Sequence, residues 1–162
     1  MTSEAILRVD GEVECPLEMS FADLEAIDAA MQVADVSRID AGRAGDAVKL
    51  AGLLSIVRPR PSVVYLTLHA STDDFHASIP LAPIHSKALL IYRLDGQPLP
   101  PAKGGPLRLL IPDSAACHSE EIDECANVKF IDRIELSTSR GHDNRPETDE
   151  EHQRLHRSSD AE

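Results

Sequence analysis

The sequence predicts an α+β domain, built on a mixed, mostly β sheet with a few short helices. The clearest strand is 62–70, which is rich in β-branched and apolar residues. In 75–81, apolar and polar residues alternate with the period of two that is typical of a half-buried strand. Apolar residues recur at helical spacing in two short segments, 20–31 and 48–57. Strands therefore dominate the predicted fold.

The two predicted helices have recognisable ends. The first, 20–31, begins with a capping box in which Ser20 is followed by Asp23 in the place of the usual glutamate. Apolar residues then recur at helical spacing from Leu24 onwards. The second helix, 48–57, ends at the RPRP sequence that follows it, because a residue before proline disfavours the α conformation.

Strands are predicted along the whole length of the domain. In chain order they are 6–9, 33–39, 62–70, 75–81, 88–94, 107–111 and 128–136. The first strand ends at the turn signal Asp10-Gly11. The segment 40–46, which contains two glycines, is predicted as a loop.

The composition changes after Ser137. From residue 140 to the end, Leu155 is the one aliphatic side chain of any size among many Asp, Glu, Arg, His and Ser residues. Such a segment cannot bury enough apolar surface to offset the entropy lost on ordering. We therefore divide the chain into a domain of residues 1–137 and a disordered, charged C-terminal tail of residues 138–162.

The overall composition excludes several classes of function. A formal net charge of −12 argues against nucleic acid and anionic membranes as partners, because both require a basic surface. No apolar run approaches the roughly 20 residues of a membrane span. Aromatic residues make up only 3% of the chain, so we expect an aliphatic core. Three cysteines do not form a disulfide framework, and the N-terminus lacks a secretory signal, so we expect a cytoplasmic protein.

The most informative segment surrounds Arg108. The sequence LDGQPL at 94–99 is typical of a tight turn, and KGGPLRLLIP at 103–112 of a proline-containing loop followed by a buried strand. Gly105 lets the backbone approach another group closely. Among leucines, a guanidinium is destabilising unless it has an anionic partner. That partner is either a bound anion or a carboxylate or carbonyl of the protein itself.

These two segments resemble the signature of the sulfite-oxidase-type molybdopterin-binding oxidoreductase domain, dG-x-P-L followed by x-G-x-P-x-R-x-x-x-P. Further motifs of that family follow in its order, from VDGEV at 9–13 and LAGLL at 50–54 to NVKFIDRIEL at 127–136. The resemblance implies the family's fold, a molybdopterin cofactor, oxygen-atom or electron transfer at molybdenum and a redox partner protein. The residues that it implies for cofactor binding are Lys103, Gly105, Arg108, Asn127 and Lys129.

The chain departs from this family at the metal ligand. Active members hold molybdenum through one cysteine after the first helix, and the matching segment 33–40 contains none. Neither Ser37 nor Asp35 is equivalent to a soft thiolate ligand. The sequence therefore leaves the catalytic residues unassigned. It also keeps open a non-catalytic binding or scaffold module of the same fold.

A different metal or haem site is the remaining alternative. Its candidate ligands are Cys117, His118 and Cys125. Thiolate and imidazole groups suit a transition metal, although their spacing matches neither a recognised zinc pattern nor a c-type haem motif. His69 ends one predicted strand and His76 begins the next, so that these two could meet at the same pocket mouth, together with His85.

Overall fold

The computed structural model of the protein describes residues 4–40, 42–112 and 128–144. Within these ranges ten strands form two sheets, joined by two α-helices and three 3-10 turns. The strands are β1 (Ala5–Gly11), β2 (Leu17–Ser20), β3 (Gln32–Val33), β4 (Asp46–Lys49), β5 (Tyr65–Ala70), β6 (Phe75–Pro80), β7 (Leu89–Leu94), β8 (Gln97–Pro98), β9 (Arg108–Leu110) and β10 (Arg133–Ser137). The helices are α1 (Phe21–Glu25) and α2 (Leu50–Val57), and the 3-10 turns are Ala29–Met31, Val36–Arg38 and Pro101–Lys103.

The first sheet has the strand order β2-β1-β10-β5-β6. Its β1 and β10 are parallel, and its other neighbours are antiparallel. The second sheet has the order β3-β4-β7-β8, with β9 also paired to β7, and all its pairs are antiparallel. Within the described residues, β6 is thus at one edge of the first sheet.

The two sheets and α2 enclose an aliphatic core, as the low aromatic content predicts. Leu66 of the first sheet, Leu90 of the second and Leu53 of α2 are fully buried in it. Burying one such leucine contributes about 2 kcal/mol. Tyr92 is also buried, and its hydroxyl donates a 2.8 Å hydrogen bond to Oε1 of Gln32. This core fixes the second sheet, and with it β9, against the first.

The predicted α+β class is confirmed, and the strands predicted at 62–70, 75–81 and 88–94 are present as β5, β6 and β7. The strands β2, β4 and β8 were not predicted, because they are too short to show a hydrophobic period. The helix predicted from residue 48 begins two residues later, since Val48 and Lys49 pair with β7 as part of β4.

The helix predicted at 20–31 is wrong in its length, since α1 ends at Glu25. Its capping box is present: the amide of Asp23 donates to Ser20 Oγ at 3.1 Å, and the amide of Ser20 donates to the Asp23 carboxylate at 2.9 Å. The side chain of Gln32 then donates to two backbone carbonyls near the helix end. Those carbonyls would otherwise accept the backbone amides of a longer helix.

The strand predicted at 33–39 is also wrong beyond its first residue. Val33 pairs with β4, but Val36–Arg38 forms a 3-10 turn. Asp35 adopts a φ of 55°, and its side chain accepts a hydrogen bond from the amide of Ser37. This local side-chain cap competes with a β ladder, which overrides the β propensity of the valines.

The start of the predicted tail contacts the first sheet. We call residues 140–144 the strap. The amide of Asn144 donates to the carbonyl oxygen of His76 at 2.9 Å, and the amide of Gly141 donates to Ser78 Oγ at 2.8 Å. The remaining tail residues, 145–162, lie outside the described ranges, and their disorder stays a prediction. No helix in the described ranges is long and apolar enough to cross a membrane.

Candidate anion-binding site

Arg108 is placed by a turn of fixed shape. The 3-10 turn Pro101–Lys103 ends at Gly104, whose φ of 99° is readily available only to glycine. A cis Gly105-Pro106 peptide follows, and β9 then begins at Arg108. In the ladder between β7 and β9, Arg108 lies opposite Ile91.

Two glycines bring backbone and side chains close together in this turn. A Cβ on Gly105 would lie 1.8 Å from the carbonyl oxygen of Leu99, so that no larger residue fits without a backbone shift. A Cβ on Gly104 would lie 3.2 Å from Cδ of Arg108 and 3.3 Å from Cγ of Lys129. Both cationic side chains therefore pass the same bare stretch of backbone.

The closing segment before β10 supplies Lys129. The amide of Phe130 donates to the carbonyl oxygen of Gly104 at 2.8 Å, and the amide of Ile131 donates to that of Leu107 at 2.9 Å. Phe130 itself has a φ of 60°, which turns the chain at this point. Lys129 is exposed, and its Nζ lies 5.7 Å from the ring centre of Phe130.

The loop 40–45 adds a further cation. Asp46 anchors the end of this loop, because its carboxylate accepts from the amide of Asp35 at 2.9 Å and from Nε of Arg93 at 2.9 Å. Glu25 of α1 accepts a second hydrogen bond from Arg93, at 3.0 Å. The hydrogen bond that Arg93 donates to Asp46, followed by the one that it donates to Glu25, raises the pKa of Arg93. The loop that carries Arg43 is thereby tied to both α1 and β7.

One nitrogen of the Arg108 guanidinium lacks a hydrogen-bond partner within the described residues. This atom, Nε, is buried and makes no hydrogen bond there. Burial lowers the pKa of Arg108, the nearby charge of Arg43 lowers it further, and Asp40 opposes both effects. A half-buried cation next to a second cation stabilises a bound anion more than it stabilises the protein alone.

The structure brings together three of the predicted cofactor-binding residues, Gly105, Arg108 and Lys129. Lys103 is exposed in the adjacent 3-10 turn. Asn127, and the predicted metal ligands Cys117, His118 and Cys125, lie outside the described residues, so that these assignments stay predictions. The sequence reasoning missed Arg43, because it treated the stretch GRAG at 42–45 as a loop only. The one signal for Arg43 in the sequence was its place in a loop between Gly42 and Gly45.

A second polar cluster lies on the first sheet. His69 and His76 are cross-strand partners, and their Nδ1 atoms are 2.7 Å apart. Nε2 of His69 lies 3.0 Å from Oε1 of Glu135, and Nε2 of His76 lies 2.9 Å from Oδ1 of Asp74. His85 is exposed in the turn after β6. Among the described residues no group of three or more His, Cys, Asp or Glu side chains is arranged to hold a metal ion.

Comparison with known proteins identifies the fold and the family. The model of the oxidoreductase molybdopterin binding domain matches residues 2–144. The chain belongs to this family. No curated protein matches it. A solved structure with a similar fold is the sulfane dehydrogenase SoxCD from Paracoccus pantotrophus, with a TM-score of 0.59 and 20% sequence identity. The match covers 83% of this chain and 38% of that chain, so this protein spans well under half the length of its structural neighbour.

The site fits the anionic part of the family's cofactor. The buried Nε of Arg108, which has no hydrogen-bond partner among the described residues, supplies a donor for an anion. The segment 33–40 supplies no thiolate for a metal. Cys15, which lies in the described part of the chain, instead accepts a 3.2 Å hydrogen bond from Arg58 after α2.

Proposed function

We propose that this protein binds molybdopterin through the pterin or its phosphate at Arg108. The observation that supports the proposal is the buried Nε of Arg108, which makes no hydrogen bond to any described residue. An unpaired buried donor costs about 1–3 kcal/mol, and more when it is charged. A bound phosphate would remove this cost, because guanidinium and phosphate form short, charge-assisted pairs.

Three cations have distinct roles in the proposal. Arg108 donates directly to the anion and orients it, since its planar group has a fixed set of donors. Arg43 adds positive potential from the loop 40–45. Lys129, whose stem packs beside Gly104 with that of Arg108, is the third cation of the proposed site. Because Gly104 has no side chain, the stems of Arg108 and Lys129 can pack beside its backbone, 3.2 and 3.3 Å from the place of a Cβ. When bound, the molybdenum cofactor would supply oxygen-atom or electron transfer, with a redox partner protein as the second reactant.

The composition of 33–40 favours one version of this function. Without a cysteine in this segment, the chain offers no thiolate there to hold molybdenum. We therefore propose a binding module that retains the family's anion pocket, and we treat turnover at molybdenum as the finer hypothesis to be tested. The cysteine and histidine ligands at 117, 118 and 125 are the competing source of a metal site.

The test is the cofactor content of the purified protein. The full chain is produced in a host that makes the molybdenum cofactor, and pterin and molybdenum are measured separately per chain. We expect pterin close to one equivalent in the native protein and in Arg60→Met, whose exposed arginine pairs with Glu12. Arg108→Met is expected to lose at least about nine-tenths of it, because the variant lacks the charge-assisted donors to the anion.

Each outcome distinguishes between hypotheses. Pterin without molybdenum supports the binding module, and stoichiometric molybdenum supports a catalytic centre. Native protein without pterin, or equal retention by Arg108→Met, contradicts the proposal. Another metal that disappears in Cys117→Ala and His118→Ala supports the alternative site.

A further inference from the structure

Four side chains on the first sheet form one continuous hydrogen-bonded chain. Its order is Glu135, His69, His76 and Asp74, and the three contacts are 3.0, 2.7 and 2.9 Å long. A carboxylate stands at each end and two imidazoles stand between them. None of these residues belongs to the anion site around Arg108.

The contacts fix the number of protons on the two rings. Each Nε2 faces a carboxylate oxygen, so each must carry a hydrogen to donate. The two Nδ1 atoms face each other at 2.7 Å, and such a contact needs one hydrogen between them. The chain is therefore complete with three protons on four ring nitrogens, which means one imidazolium and one neutral imidazole.

One proton fewer or one proton more on the two rings breaks the hydrogen-bonded chain. With two neutral rings, either the two Nδ1 lone pairs face each other, or one Nε2 loses its hydrogen and faces a carboxylate without a donor. With two imidazolium rings, two N–H groups face each other at the centre. Only the singly protonated pair satisfies all three contacts. The hydrogen-bonded chain is therefore complete only in the pH range between the two protonation steps of the pair.

The surrounding groups are consistent with a single positive charge on the pair. On β10, Glu135 attracts it, while Arg133 opposes it and lies 3.7 Å from the same carboxylate. Asp74 lies in the turn before β6, and the strap contributes His142 together with the Arg140–Asp143 ion pair. Burial, the largest effect on His69, lowers its pKa and so disfavours a charge on this ring.

The pair is coupled to the strap through His76. The ring of His142 stacks on that of His76 with a centre separation of 4.1 Å. The backbone amide of His76 donates to Oδ1 of Asn144 at 2.8 Å, and the backbone carbonyl of His76 accepts from the backbone amide of Asn144 at 2.9 Å. The strap also crosses the polar face of the sheet closely, since a Cβ on Gly141 would lie 2.5 Å from Oγ1 of Thr67.

We propose that His69 and His76 form a clasp that holds the strap 140–144 on the edge strand β6 only while the two rings share one proton. Losing that proton, or gaining a second, separates the rings. His76 then moves relative to its partners in the strap, which loosens the strap and exposes the β6 edge. The clasp makes this edge pH-sensitive.

Amide hydrogen exchange tests the clasp in the full chain, with a chelator present. Protection of the Gly141 and Asn144 amides, corrected for intrinsic exchange, is measured across the pH range of histidine titration. We expect a maximum at intermediate pH and a fall of about tenfold per pH unit on each side, the slope for one proton. His76→Gln should remove this dependence, and His85→Gln should retain it.

A second measurement does not depend on any variant. At the pH of maximum protection, we expect a nitrogen–nitrogen scalar coupling across the hydrogen bond between the two Nδ1 nuclei of the native protein. Absence of that coupling overturns the proposal. So does strap protection that is independent of pH, changes in one direction only, or loses its maximum in His85→Gln.

Discussion

The amide nitrogen of Phe130 donates a 2.8 Å hydrogen bond to the carbonyl oxygen of Gly104. This contact joins the segment before the last strand to the turn before β9. Lys129 and Arg108 consequently pass on the same side of Gly104, each within contact distance of the place where a Cβ would stand. The stems of two cationic side chains thus pack together beside one glycine, where any larger residue would push them apart.

The turn at Gly105 is sensitive to a single methyl group. Gly105→Ala is expected to lower the free energy of unfolding by at least about 2 kcal/mol, because the new Cβ would lie 1.8 Å from the Leu99 carbonyl oxygen. Gly42→Ala is the matched control, since its Cβ would have one neighbour, at 3.4 Å, and it should change stability by less than about 0.5 kcal/mol. Urea denaturation measures both. Equal effects would contradict the described turn.

Arg108 is expected to limit the stability of the ligand-free protein. Arg108→Met removes a half-buried cation whose Nε has no hydrogen-bond partner among the described residues. The substitution should leave the free energy of unfolding unchanged or raise it by about 1 kcal/mol. Urea denaturation of cofactor-free protein measures this change. A structural arginine, paired with the protein itself, would give a clear loss instead. Repeating the measurement with added phosphate should stabilise the native protein more than the variant.

The lowered pKa of His69 predicts the acid side of the stability profile. Since burial favours the neutral ring in the folded state, the unfolded chain binds more protons between the folded pKa and about 6.5. The contribution of His69 to stability is then complete above about pH 6.5 and falls as the pH drops towards the folded pKa. His69→Gln should flatten this part of the profile, and His85→Gln should not. Denaturation midpoints from about pH 7.5 to about pH 5 provide the measurement.

Asp46 is expected to matter more than Glu25 for the loop that carries Arg43. Asp46→Ala removes the acceptor for both the Asp35 amide and Nε of Arg93. It should lower the free energy of unfolding by about 1–3 kcal/mol. Glu25→Ala removes a single contact, which is more exposed than those of Asp46. It should lower the free energy of unfolding by less than about 1 kcal/mol. Thermal or urea denaturation distinguishes the two. A larger effect of Glu25→Ala would show that the loop is anchored on α1 instead.

Local patterns predicted well those elements whose stability is local. The capping box at Ser20 and the period-two strand at 75–81 both appear, because each depends on neighbouring residues. The patterns failed where a polar side chain binds the backbone outside the apolar period. Gln32 binds the carbonyls at the end of α1, up to eight residues before it, and Asp35 caps a 3-10 turn where β-branched residues suggested a strand.

The sequence alone determined the α+β class, the aliphatic core and the family resemblance carried by the segment around Arg108. It also determined that 33–40 offers no thiolate, because this depends only on residue identity. Tertiary structure decided that the charge of Arg43 acts on Arg108, and that Nε of Arg108 has no hydrogen-bond partner among the described residues. It also decided that the rings of His69 and His76 are in contact. Those relationships depend on sheet register and on contacts between distant segments, which no local sequence pattern encodes.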